Sequence, residues 1–202
     1  MEDLRGNIVS TAADLFLQYG IRSVSIDNVC SELHISKKTF YSYFSQKEEL
    51  VDAVLTYQEN MIFDRLKKLL FVNNAIESLI LIIKEMKKAI ESKSPAFYFD
   101  LQKYYRGLSE KHDNIKCEEM RQWFTSNIEQ GIKEGYYRDD MDIELMSLFH
   151  TIGINGSLRE IQEKTQKYTK KRMIEFYIDM VMHLIANEKG LQYFHEHYNK
   201  NE

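Results

Sequence analysis

Leu4, Ile8, Ala12, Leu15, Phe16 and Tyr19 recur at helical spacing, so the chain opens on an amphipathic helix from about Glu2 to Gln18. Gly20 follows where a left-handed stop is expected. Ser25 predicts the cap of a second helix, with Ile26, Val29, Cys30 and Leu33 facing inward and an end near His34. Ser36 predicts the cap of a third, short helix running to about Tyr43. Ser45, with Glu48 three residues on, has the spacing of a capping box. It opens a long fourth helix carrying Leu50, Val54, Tyr57, Met61 and Leu69.

Beyond Asn73-Asn74 the periodicity stays helical. It predicts helices over about Ala75–Ser92, Pro95–Tyr105, Glu110–Glu134, Ile143–Gln162 and Thr169–Asn187, with a short piece to about Tyr198. Ser94-Pro95 reads as a cap followed by proline at the first helical position. One proline and eight glycines are few breakers for 202 residues, and alternating strand patterns are hard to find. The expected fold is therefore all-α. Residues 1–47 form a compact three-helix head and residues 48–202 a larger helical body. No low-complexity linker separates them, so the fourth helix joins them directly.

Two helices, a tight turn and a second helix rich in polar side chains are the helix-turn-helix arrangement, whose second helix enters the major groove. Phe40 and Phe44 share a face that pins the third helix to the core. Lys37, Lys38, Tyr41 and Ser42 are then directed outward. Thr39, Tyr43 and Lys47 are placed to touch phosphates, and Ser25 adds backbone donors at the positive end of the second helix. Charge sharpens this picture. The chain has 27 basic and 31 acidic residues, a net charge of −4, yet the segment from Ser36 to Lys47 holds three lysines and no acid. A small basic island on an acidic chain suits a specific reader of DNA better than a passive nucleic-acid coat.

At Ala12-x-x-Leu15-Phe16-x-x-x-Gly20, Val24-Ser25-Ile26-x-x-Val29 and Thr39-Phe40-Tyr41-x-Tyr43-Phe44-x-x-Lys47-Glu48-x-Leu50 the chain resembles the TetR family of bacterial transcriptional regulators. The resemblance covers roughly the first quarter. It implies base contacts from Ser36, Lys37 and Tyr41, and phosphate contacts from Ser25, Thr39, Tyr43 and Lys47. Lys38 completes the expected DNA-binding set. His34 departs from the glycine often found in the family's turn, but histidine tolerates positive φ better than most residues. The resemblance also implies a homodimer on a palindromic operator, repression, and release by a small molecule.

The body is less explicit. Phe97, Tyr104, Trp123 and Phe149 are candidate ligand contacts, with ordinary core packing as the competing reading. Phe149, Ile152, Ile174, Tyr177, Ile178, Val181 and Ile185 are the candidate dimer interface, with Gly153 and Gly156 allowing close helix approach; an intramolecular core is again the alternative. No catalytic constellation, phosphate-cradling glycine loop or zinc spacing is found, so neither an enzyme nor a cofactor is expected. His195 and His197 are two apart and do not share a helix face, so no metal is expected there. Cys30 and Cys117 stand far apart, as in a reducing compartment. With no signal peptide or membrane span in evidence, a cytoplasmic location is expected. A helical enzyme or carrier with a partner-binding head, and an architectural DNA binder, are the alternatives.

Overall fold

The computed structural model describes residues 3–70, 74–91, 94–152 and 167–198. The helices are α1 (Leu4–Tyr19), α2 (Ile26–Glu32), α3 (Lys37–Tyr41), α4 (Lys47–Leu70), α5 (Ala75–Glu91), α6 (Pro95–Tyr104) and α7 (Arg106–Lys133). They are followed by α8 (143–152), α9 (Lys170–Ile185) and α10 (Glu188–Tyr198). No strand occurs among the described residues; Tyr137 and Ala186 form an isolated antiparallel bridge. The fold is all-α, as the periodicity predicted. The expected continuation of α8 to Gln162, with Gly153 and Gly156, lies outside the described residues.

The caps explain most boundaries. Asp3 accepts from the Gly6 amide and starts α1, and Gly20 ends it at φ 86°. Ser25 accepts from the Asn28 amide, and the Asn28 side chain returns the bond to the Ser25 amide. His34 takes φ 53°, the left-handed turn expected of it. Ser45 donates both its amide and its hydroxyl to Glu49 rather than pairing with Glu48, so the contact before α4 is not the capping box expected at Ser45 and Glu48. Ser94 precedes Pro95 at the start of α6, but its hydroxyl makes no capping bond.

The chain divides into two compact units, Met1–Arg65 with Ala89–Ile115, and Leu66–Lys88 with Lys116–Glu202. The unit that contains the head therefore also draws on α6 and the start of α7. Its core joins Ile8, Ala12 and Phe16 of α1, Val29 and Cys30 of α2, Phe40 of α3, Phe44, Leu50 and Val54, with Phe97 and Leu101 of α6. Burying each such aromatic or large aliphatic side chain contributes about 1.5–3 kcal/mol. Tyr19, Tyr57 and Met61, placed on apolar stripes by sequence, are exposed.

A polar contact closes this unit. His112 of α7 is buried, with Nδ1 2.7 Å from Glu59 Oε2 and Nε2 2.7 Å from Asp52 Oδ1. Asp52 and Glu59 are seven apart on α4 and so share a face. Lys111 Nζ reaches Asp52 at 2.8 Å, and that ammonium holds the Asp52 carboxyl below the usual range.

The second unit packs Ile76, Leu79 and Ile80 of α5, Phe124 and Ile128 of α7, and Ile178, Val181, Met182 and Ile185 of α9. Buried Asn127 donates to the Ala75 carbonyl at 2.8 Å and accepts from the Tyr137 hydroxyl at 3.2 Å. Burial pushes the Tyr137 phenol well above its ordinary range, so the hydroxyl stays a donor. Gly131 makes room for that ring, since a Cβ there would lie 2.1 Å from Tyr137 Cδ2.

Candidate nucleic-acid interface

α3 has only five residues and is held at both ends. The Ser36 hydroxyl accepts from the Thr39 amide at 3.0 Å and lies 2.8 Å from the Thr39 hydroxyl. The Ser42 hydroxyl donates to the Thr39 carbonyl. Phe40 and Phe44 are fully buried, with ring centroids 5.7 Å apart, and fix the rotation of α3. The opposite side is polar and accessible: Ser36, Lys37, Lys38, Tyr41 and Tyr43 are all exposed, Tyr41 at 52%. Tyr41 rests edge-on against Phe40, which orients the phenol without burying it.

Lys37 pairs with Asp27 of α2 at 2.8 Å, and that carboxylate raises the lysine's pKa. Both partners are exposed, so the pair contributes little and an acceptor in a groove can replace Asp27. Ser25 spends its hydroxyl on the cap of α2. Thr39 is half-buried and tied to Ser36.

Lys47 corrects the expectation of a free phosphate ligand. Its ammonium donates to the Ile21 carbonyl at 2.6 Å and to the Val24 carbonyl, and lies over the Phe16 ring. Desolvation lowers its pKa. Lys47 thus ties the start of α4 to the turn before α2. That turn has a second anchor, absent from the sequence reading. The Arg22 amide donates to Asp100 Oδ2 of α6 at 2.8 Å, and the Arg22 guanidinium donates to the Tyr104 hydroxyl while lying 4.5 Å over its ring. No sequence signal links residues so far apart in the chain.

The four expected ligand contacts are divided between the two units. Phe97 is buried in the core of the first unit, and Tyr104 is engaged by Arg22. In the second unit Trp123 is 7% exposed, whereas Phe149 is 67% exposed on α8. The Trp123 indole N–H is buried and has no hydrogen-bond partner among the described residues. Beside Trp123, Phe124 stacks on His150 with centroids 3.7 Å apart. The Tyr177 hydroxyl donates to the His150 carbonyl at 2.8 Å. Desolvation drops His150 to about 4 and pushes Tyr177 up to about 12, so both are neutral near pH 7.

The expected dimer stripe is also corrected. Tyr177, Ile178, Val181 and Ile185 are buried within their own unit and face its core. The exposed apolar positions of α9 are Phe176, Met180 and Leu184, each one residue before a buried one. On α8, Phe149 and Ile152 are exposed, together with Leu145 and Leu148. The Ile174 side chain lies outside the description.

A buried aromatic anchor, a capped short helix and an outward polar face define a helix-turn-helix protein. Residues 8–54 match the family model described as bacterial regulatory proteins, tetR family. The chain is 26% identical over 149 residues to the HTH-type transcriptional repressor KstR2 of Mycobacterium tuberculosis, spanning 72% of this chain and 74% of that protein. The solved structure of that ketosteroid transcriptional regulator aligns with a TM-score of 0.52 at 25% identity, over 93% of this chain and 97% of the other. A transcriptional regulator from Cytophaga hutchinsonii has the same fold, with a TM-score of 0.77 at 17% identity over 89% and 97% of the two chains. Residues 8–54 are thus those of the tetR family of bacterial regulatory proteins, and over most of its length the chain is similar to HTH-type transcriptional regulators. Among the described residues no helix is long and apolar enough to cross a membrane.

Proposed function

We propose that this protein is a homodimeric cytoplasmic repressor that binds a palindromic double-stranded DNA operator and is released by a small molecule. It acts as a regulator, not as an enzyme, and needs no cofactor. The observation that carries the reading is the exposed face of α3, opposite buried Phe40 and Phe44. Ser36, Lys37 and Tyr41 contact bases from it. Lys38, Tyr43, Thr39 and the backbone at Ser25 contact phosphates. Lys47 acts one step back, by holding the Ile21–Val24 backbone against α4. Residues 1–47 are the reading head and residues 48–202 the ligand-binding and dimerisation body.

One head offers too few contacts for tight specific binding, so two must be tied together at about 34–36 Å, one helical turn of DNA. The exposed apolar residues Leu145, Leu148, Phe149 and Ile152 of α8, with Phe176, Met180 and Leu184 of α9, are the surface for that pairing. KstR2, a relative of similar length, is named a repressor, which supports the negative sign. The ligand reading rests on the unpartnered Trp123 N–H beside the neutral Phe124–His150–Tyr177 group. Such a site suits an apolar or amphipathic molecule carrying one hydrogen-bond acceptor.

The test is selection of bound duplexes from a random pool, followed by gel shift on the selected and scrambled sequences. A palindromic consensus bound far more tightly than scrambled DNA is the expected result. Equal binding to both would make the protein an architectural DNA binder, and no binding would make it an adaptor or carrier.

A further inference from the structure

We infer that Asp179, His183 and His195 form a surface site for a divalent transition-metal ion. One ligand atom from each lies within 4.8 Å of the other two. Asp179 and His183 are one turn apart on α9, and His195 comes from α10. The two imidazoles have centroids 5.9 Å apart. His183 Nδ1 sits 2.8 Å from the Asp179 carbonyl oxygen, which can only accept. The ring must therefore carry its proton on Nδ1 when neutral, leaving the Nε2 lone pair free for a metal. A backbone carbonyl behind a ligating histidine is the usual way to set tautomer and orientation.

The backbone that carries these groups is rigid. Only Ala186 and Asn187 separate α9 from α10, and both are pinned: Ala186 bridges Tyr137, and the Asn187 amide donates to the Tyr136 carbonyl at 3.0 Å. Gly190 lets α10 press on the same carbonyl, because a Cβ there would lie 2.1 Å from Tyr136 O. Phe194, beside His195, is buried and fixes the last turns of α10. The three ligand side chains are exposed, so small rotations bring their donors to the roughly 3.3 Å separation of a tetrahedral site with bonds of about 2.0–2.1 Å.

Two imidazoles and one carboxylate form a borderline donor set. It selects Zn²⁺, Co²⁺, Ni²⁺ or Cu²⁺ over Mg²⁺ and Ca²⁺, which prefer all-oxygen sites. Water completes the coordination. The bound ion links α10 to α9 beside the exposed Phe176–Met180–Leu184 stripe.

The experiment is equilibrium titration of untagged, metal-stripped full-length protein with Zn²⁺, with thermal melting as a second readout. One ion per chain at micromolar affinity, and a higher Tm with Zn²⁺ but not with Mg²⁺, are expected. His183→Ala, His195→Ala and Asp179→Asn should each weaken binding tenfold or more and abolish the Tm rise. His197→Ala should do neither. Circular dichroism confirms that the variants stay folded, as exposed positions allow. No saturable binding below millimolar Zn²⁺, half an ion per chain, or binding that survives the triple substitution would overturn the site.

Discussion

His112 lies between two carboxylates of α4, with Glu59 2.7 Å from Nδ1 and Asp52 2.7 Å from Nε2. Removing the ring takes away its two short contacts to Glu59 and Asp52 at once. His112→Leu should therefore destabilise the protein by about 1–3 kcal/mol. The double variant His112→Leu/Glu59→Leu should lose less than the sum of the two single losses, because both singles remove the same contact. Urea denaturation of the parent, both singles and the double closes the cycle. Additive losses would show that the two side chains do not interact.

His150 makes stability depend on pH. Its folded pKa of about 4 lies below the ordinary histidine value, so the folded chain keeps the ring neutral where the unfolded chain protonates it. Stability should fall as pH drops from about 6.5 to about 4, by at most about 3 kcal/mol from this group. Carboxylates add their own loss at the acid end, so the comparison is with His150→Gln. Its denaturation midpoint should change less over that window. Parallel curves for parent and variant would remove His150 as the cause.

Lys47→Ala separates a positioning role from a phosphate contact. Losing two charge-assisted bonds to the Ile21 and Val24 carbonyls should cost about 1–3 kcal/mol of stability. Operator affinity should fall while its dependence on salt concentration keeps the parent slope. A slope flatter by about one unit per head, with unchanged stability, would restore the direct phosphate contact.

Phe176 and Ile178 are two residues apart on α9, yet Phe176 is 65% exposed and Ile178 4%. Phe176→Glu should yield a folded monomer by sedimentation, with helical circular dichroism retained and operator affinity sharply reduced. Ile178→Glu should instead unfold the second unit, because it buries an unpaired charge in a core. A dimeric Phe176→Glu protein would place the pairing surface elsewhere.

The sequence alone determined the elements and the exposed polar face of α3. Helical periodicity, the Ser25 and Ser36 caps and the stop at Gly20 are local, and local energetics decide them. The Phe40/Phe44 spacing likewise assigns one face of α3 to the core and the other to solvent. What only the tertiary structure decided is which of several apolar faces meets which neighbour. Wide apolar faces on α8 and α9 do not say which positions pack within the chain, so Ile178, expected at an interface, is buried, while Phe176, which the sequence reading did not single out, is exposed. Lys47 looked like a free cation until its carbonyl partners, more than twenty residues upstream, were in place. The same holds for His112 with Glu59, and for His195, which meets not His197 but His183 on the preceding helix. These relationships depend on how helices dock, and docking is set by the summed packing of many side chains, which no local pattern encodes.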